Sequence, residues 1–405
     1  YGAAAALIFP TAFFGEMPPT TALLLSLLTF AAGFIARPIG GIIFGHFGDK
    51  VGRKKTLISA LMLMGISSTL IGLLPTYAMI GVAAPILLTT LRFAQGLAIG
   101  GQWGGAMLLV TESAPSNQRG YYGAFAQAGA PIGVILANLA LIITSALVSE
   151  EFFNTWGWRI PFLASAVLIL ISMYIQLNLE DTEAFKALAN NKDTQSNNNI
   201  QKSPVIEAIR KYPKRIFLAA GAFLSVQVTF YILIAFMLAY GVTSANMARD
   251  DMLAAVLIAS AIMVPIQFVF SSYSDRHGRK GIFMLGAILT AIWAFVIFPL
   301  VDTGNFYLIV LAISGGLIFL AMMYGPQAAF FTELFSTEVR YSGATLGYQF
   351  GAIVGGAFAP TIAVKLWTEF DIIWVSAYIA LASLLTLISV MALTETYQSD
   401  LNNTD

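Results

Sequence analysis

Apolar runs of roughly 20 residues recur from one end of the chain to the other, separated by short turns that hold most of its charge. A helix rises about 1.5 Å per residue, so 20 residues match a hydrocarbon core about 30 Å thick. Of 405 residues, 58% are hydrophobic and 10% charged, against about a quarter charged in a soluble domain. Only a bilayer can take up that much apolar surface. The pattern predicts an all-α membrane protein with helices at about 1–15, 20–45, 56–74, 83–111, 120–147, 159–178, 214–240, 251–273, 281–300, 306–332, 341–365 and 372–393. That makes twelve transmembrane helices, and the first, opening at Tyr1 within an apolar segment, reads as truncated.

Charged turns repeat. Gly45-His-Phe-Gly-Asp49-Lys50-Val-Gly52-Arg53-Lys54-Lys55 returns as Ser271-Ser-Tyr-Ser-Asp275-Arg276-His-Gly278-Arg279-Lys280, an offset of 226 from Asp49 to Asp275 (275 − 49). One helix pair later, Thr111-Glu112 with Arg119 is matched by Thr332-Glu333 with Arg340, the arginine falling seven positions after the glutamate in both (119 − 112 and 340 − 333). Two features recurring in the same order imply two pseudo-symmetric six-helix bundles. The expected organisation is an N-terminal bundle at 1–178, a polar linker at 179–213, a C-terminal bundle at 214–396 and a tail at 397–405. The Asn190–Asn199 tract is too polar to pack, and Pro204 to Lys211 is expected to form a short surface helix. The basic residues of the repeated turns and the linker lie on one side, which places that side and both termini in the cytoplasm.

Composition also excludes. A formal net charge of zero argues against nucleic acid as a partner. With no cysteine and two histidines, no disulfide, thiol nucleophile or cysteine/histidine metal site is expected, and no cofactor or enzyme nucleophile stands out.

Two charges fall deep within predicted spans, Arg37 and Arg92. Charge there is costly unless paired or hydrated, so each is a functional-site candidate. For Arg37 the alternative is a buried strut, because Pro38, Gly40 and Gly41 suit a bent, tightly packed helix. Arg92 is followed by Gln95, Gly96, Gly100 and Gly101, glycines that let helices close up while Arg92 and Gln95 project. A guanidinium is a natural receiver for a carboxylate. Gln102 and Trp103, Gln127 and Asn138, Gln227 and Tyr231, Gln267, Tyr324 and Gln327, and Tyr348 and Gln349 are further candidates, each with the alternative of interhelical hydrogen bonding. Gly325-Pro326 marks an expected helix break. No Asp or Glu lies mid-membrane.

The turn Gly45, Asp49, Lys50, Gly52, Arg53, Lys54 resembles the G-x-x-x-D-[RK]-x-G-R-[RK] signature of the major facilitator superfamily. Arg37-Pro38-Ile-Gly40-Gly41, Leu91-Arg92-Phe-Ala-Gln95-Gly96, Gly100-Gly101-Gln102-Trp103-Gly104-Gly105, Glu112-Ser-Ala-Pro115 and Trp156-Gly-Trp158-Arg159-Ile-Pro161 resemble its metabolite:proton symporter group, in the shikimate-permease-like branch. The resemblance implies an inner-membrane, monomeric secondary transporter that carries a small carboxylated anion with protons by alternating access. A proton-driven efflux pump for an anionic drug and a non-transporting receptor on the same fold remain alternatives. It implies a substrate site built from Arg92, Arg37, Gln95, Gln102, Trp103, Gln127, Tyr231, Tyr324, Gln327 and Tyr348, with helices 1, 4, 7 and 10 lining the cavity. It also implies gating clusters: Arg53, Glu112 and Arg119 in the first half, Arg279, Glu333 and Arg340 in the second, and Asp49 and Asp275 set against helix ends of the opposite bundle. There are two departures. Ser271 stands where the first copy has Gly45, and Gln102 stands where relatives commonly carry Glu, so an amide replaces a group that could titrate.

Overall fold

The computed structural model describes residues 2–51, 53–178, 204–336 and 340–397. The first part of the linker, 179–203, the tail from 398, and the side chains of 45–57, Trp103 and Glu112 lie outside the described residues. The expectations for Gly45, Asp49, Arg53, Glu112 and Trp103 therefore have no described side chain to compare with.

In a bilayer the main chain must satisfy its own polar groups, and this chain does so with helices. The first pass is broken into α1 (Gly2–Leu7) and α2 (Phe9–Phe14). It is followed by α3 (Pro19–Val51), α4 (Arg53–Leu73), α5 (Ala83–Ser113), α6 (Arg119–Leu147) and α7 (Ile160–Asn178). After the surface helix α8 (Pro204–Lys211) come α9 (Pro213–Tyr231), a π-helical segment Ile232–Phe236 and α10 (Met237–Thr243) in one span. The rest are α11 (Arg249–His277), α12 (Arg279–Val301), α13 (Phe306–Glu333), α14 (Arg340–Ala352) with a π-helical segment Ile353–Ala357 and α15 (Ala359–Glu369), and α16 (Ile372–Ala392). Among the described residues nine spans are long and apolar enough to cross a bilayer, two shorter apolar helices cover Ile58–Leu73 and Gly157–Ile171, and the broken first pass completes twelve.

Three local expectations are corrected. The charged turns are far tighter than drawn: α3 continues to Val51, and α11 and α12 are separated by Gly278 alone. Gly278 has φ +100° and its amide bonds to the Ser274 carbonyl at 3.1 Å, a left-handed position that favours glycine. Second, Gly325-Pro326 does not break α13, which is helical throughout Phe306–Glu333. One proline removes one amide donor, and a membrane helix tolerates that loss. Third, real discontinuities lie elsewhere, at Ile8 ahead of Pro10 and at the two π segments. Adding the 226-residue repeat offset to Ile8 gives position 234, inside Ile232–Phe236, so the two halves interrupt their first helix at matching depth.

Within the first half α3 packs along α5 and α4 along α7; within the second, α11 and α12 pack on α13, and α9 on α14 and α16. The halves meet along two seams, α6 against α11 and α13, and α3 against Ile353–Ala357 and α15. The α3–α5 crossing is set by glycine. A Cβ at Gly96 would land on the Gly33 carbonyl and one at Gly100 on the Arg37 carbonyl, so the two backbones touch.

Candidate functional site

At the face carrying the charged turns, α11 ends in Asp275 and α12 begins with Arg279, i and i+4 across the glycine hinge. Arg279 is fully buried: Nη1 donates to Asp275 Oδ1 at 2.6 Å and to Ser274 Oγ at 2.7 Å, and Nη2 donates to Glu333 Oε1 at 3.1 Å. One guanidinium thus holds two carboxylates from two helices. Asp275 reaches across to the other half, where Oδ1 and Oδ2 accept the backbone amides of Gly120 and Tyr121, each at 2.8 Å. These are orphan donors at the start of α6, and an anion there also suits the helix dipole. Gly120 leaves the room: a Cβ would meet Arg279 Nη1 at 2.5 Å and Asp275 Oδ1 at 2.9 Å. Arg119, expected in the first-half cluster, is buried close enough to Glu333 to act on its charge. Arg340 donates from Nε to the Phe335 carbonyl at 3.3 Å.

Two residues that sequence reasoning missed complete the cluster. Glu395 Oε1 and Oε2 accept the amides of Arg279 and Lys280 at 2.8 and 2.9 Å, capping α12, and Thr396 Oγ donates to Glu333 Oε2 at 2.8 Å. Lys280 Nζ also bonds the Met391 carbonyl at 3.1 Å, so the chain after α16 is strapped to the ion pair. The available signal was a carboxylate just past the last apolar run, which reads as ordinary tail until the fold brings it to a helix start. Glu395→Gln removes charge from two charge-assisted bonds and is expected to weaken the strap by about 1.5–3 kcal/mol. Faster protease cleavage after Leu393 in the purified variant is the measurable outcome.

The α6 seam continues across the membrane. Gln267 Nε2 donates to the Ala124 carbonyl (3.3 Å), Gln127 Nε2 to the Tyr324 carbonyl (3.1 Å) and, at 3.4 Å, to Gln327 Oε1, and Asn138 Nδ2 to the Leu253 carbonyl (3.2 Å). At the far face Ser145 Oγ donates to Asp250 Oδ2 at 2.8 Å and Arg249 to Asn154 Oδ1 at 3.3 Å. This seam is closed at both faces.

Between the halves lies a small enclosed cavity lined by Gln227, Phe230, Tyr231, Leu320, Tyr324 and Tyr348 with Ala130 and Val226. Its volume is about 50 Å³, room for roughly three to five waters at about 10–15 Å³ each. Arg37, 7% exposed, stacks on Phe34 with Cζ 3.9 Å from the ring centroid and acts electrostatically on both Tyr324 and Tyr348. Phe34 in turn meets the edge of Tyr231 at 5.2 Å. Several buried polar atoms in and around this region have no hydrogen-bond partner among the described residues: Arg37 Nε, Gln127 Oε1, Gln327 Nε2, Gln102 Nε2 and both amide atoms of Gln349. Buried polar groups are normally satisfied, so such a concentration marks a place where water or a ligand belongs.

Arg92 is placed differently. Its Nη1 donates to Gln95 Oε1 at 2.9 Å, Gln95 Nε2 donates to Ser68 Oγ at 2.8 Å on α4, and Cζ lies 5.3 Å from the Phe30 ring. Arg92 and Gln95 therefore tie α5 to α4 inside the first bundle and do not line the cavity. Phe30, beneath Arg92, in turn meets Tyr231 edge-on at 5.7 Å.

The comparisons agree with this architecture. The chain is 40% identical to the inner membrane metabolite transport protein YhjE of Escherichia coli (strain K12), covering 99% of this chain and 91% of that one. It is 37% identical to the shikimate transporter of the same strain, covering 94% and 86%. A crystal structure of a D-xylose-proton symporter has the same fold at TM-score 0.74 and 16% identity, covering 98% of this chain and 95% of that chain. The Major Facilitator Superfamily sequence model matches residues 2–347. With twelve passes in two bundles, a charged turn whose Asp275 fastens one half to the other, and relatives alike over nearly their whole length, the chain belongs to the major facilitator superfamily of membrane transporters.

Proposed function

We propose that the protein carries a small organic anion bearing a carboxylate across the inner membrane by alternating access, with Arg37 as the principal anion receiver. The observation that carries this reading is the Arg37 guanidinium itself. It is buried, stacked on Phe34 with Nε unbonded, its charge acts on the cavity tyrosines Tyr324 and Tyr348, and no carboxylate among the described residues pairs with it. A buried cation without a counterion is costly, and a bound carboxylate supplies one in bidentate geometry. Tyr231, Tyr324, Tyr348 and Gln227 would orient the remainder, while Gln127 and Gln327 adjust as the seam opens. Arg92 with Gln95 would support Phe30 from behind. Gln102 and Trp103 lie further along α5, where that helix packs on α3. The kinship with a shikimate transporter supports a hydroxylated carboxylate, whose hydroxyls the tyrosine and amide groups suit.

Coupling to protons is the mode the family resemblance supports, and the basic residues of the charged turns support a cytoplasmic position for that face and both termini. Gln102 cannot titrate, so the coupling proton travels elsewhere. Shikimate binding to the purified chain tests the receiver: Arg37→Ala should lower affinity by at least about 100-fold and Arg37→Lys by about tenfold, since lysine keeps charge without the fork. Arg92→Ala should lower it less than Arg37→Ala. Wild-type affinity in Arg37→Ala would remove Arg37 from the site. Uptake into proteoliposomes with an imposed pH gradient tests coupling and direction together.

A further inference from the structure

Arg210, Lys211, Lys214 and Arg215 put four cations within six residues at the start of the span Pro213–Thr243. All four are exposed. So are two apolar side chains beside them, Ile209 at 46% and Phe217 at 76%, while Ala208 and Ile216 are buried. Lys214 and Phe217 are three apart on α9 and share a face, so a cation stands one turn from an apolar ring at the end of a membrane span. That depth is where phospholipid headgroups meet acyl chains, and basic residues there attract anionic lipid.

The patch is wired to the gate. Tyr212, the residue between α8 and α9, has Lys211 Nζ at 5.5 Å and Arg215 Cζ at 5.0 Å from its ring centroid. Its ring edge meets Phe335 at 6.1 Å, its hydroxyl donates to Ser336 Oγ at 3.3 Å, and Arg215 Nη1 donates to the Leu334 carbonyl at 2.9 Å. Residues 334–336 follow Glu333 directly. We infer that Arg210, Lys211 and Lys214 bind the headgroup of an anionic phospholipid whose acyl chain lies along Phe217, and that occupancy steadies the Tyr212 bridge to the turn after Glu333. A soluble phosphate could meet the same cations but would make no use of Phe217 and Ile209; the apolar shelf favours the lipid.

The test uses the whole chain in detergent, with phosphatidylglycerol, phosphatidylcholine and inorganic phosphate as probes and bound lipid counted by native mass spectrometry. Wild type should retain phosphatidylglycerol over phosphatidylcholine by at least about tenfold. The combined Arg210→Gln, Lys211→Gln, Lys214→Gln variant should lose that preference, while Lys365→Gln keeps it. Phe217→Ser should lower lipid retention. Equal retention of the two lipids by wild type, an unchanged preference in the triple variant, or displacement of phosphatidylglycerol by equimolar inorganic phosphate would each overturn the inference. Should the triple variant not fold, a salt titration of wild type decides: retention that falls steeply with ionic strength supports the headgroup contact, and salt-independent retention overturns it.

Discussion

Arg279→Ala should strip Asp275 and Glu333 of the guanidinium that bridges them, and the seam at the charged-turn face should open. Removing one member of a buried ion pair costs about 3–5 kcal/mol because its partner is left uncompensated. Here two partners are stranded, Glu333 in a site without solvent and Asp275 while it caps α6. An arrangement that separates the carboxylates relieves both. About 3 kcal/mol moves a two-state ratio by more than a hundredfold, enough to convert a closed population into an open one. The absence of native cysteine makes the measurement direct. Spin labels at Tyr121→Cys and Tyr273→Cys, both exposed at that face, should move apart when Arg279→Ala is added, and substrate flux should fall while equilibrium binding persists. An unchanged label separation would show that the cluster does not hold the seam.

Gly100→Val is expected to prevent the protein from accumulating in the membrane at all. The added Cβ would occupy the position of the Arg37 carbonyl, and both parties are main chain, so no side chain can swing aside. Overpacking of a flexible site costs about 1–3 kcal/mol, and two rigid helix backbones exceed that range. Gly41→Ala is the control, since its Cβ would stand 3.4 Å from the Gly100 carbonyl, ordinary contact. Yield in membranes and melting of the detergent-solubilised protein read both. A Gly100→Val protein that accumulates and melts like wild type would mean that α3 and α5 can separate freely. The same variant would move Arg37, so loss of binding without loss of folding would place the effect in the site.

What could be read from the residues follows from how far each signal travels along the chain. The helices, their number and the doubled architecture were legible because lipid imposes a length and a polarity on every span. The offset between Asp49 and Asp275 survives as plain text. Glu333 beside Arg279 came from the resemblance, by matching two turns. Spacing along one helix was a poorer guide to Arg92 and Arg37. Both lie among glycines and both looked able to reach a cavity, yet whether a side chain faces its own bundle or the other depends on the rotation of α5 and α3 about their axes, set by contacts such as Gly96 on the Gly33 carbonyl. Pro326 misled because a proline's effect depends on what receives the freed carbonyl. Glu395 and Thr396 were invisible because their partners are more than 60 residues away and only the closed fold brings them together.

The rungs of the α6 seam have a consequence for any mutational survey of this transporter. Gln127, Gln267 and Asn138 each donate to a main-chain oxygen, of Tyr324, Ala124 and Leu253. A side-chain exchange can erase the giving half of such a rung but not the receiving half. Scanning substitutions should therefore report these rungs at Gln127, Gln267 and Asn138, whereas at the buried Ala124 and Leu253 they report side-chain packing alone, although both halves bear the same load. Couplings sought by pairwise substitution across this boundary would come out near zero for those rungs, and a tally of sensitive positions would undercount how firmly the bundles grip each other.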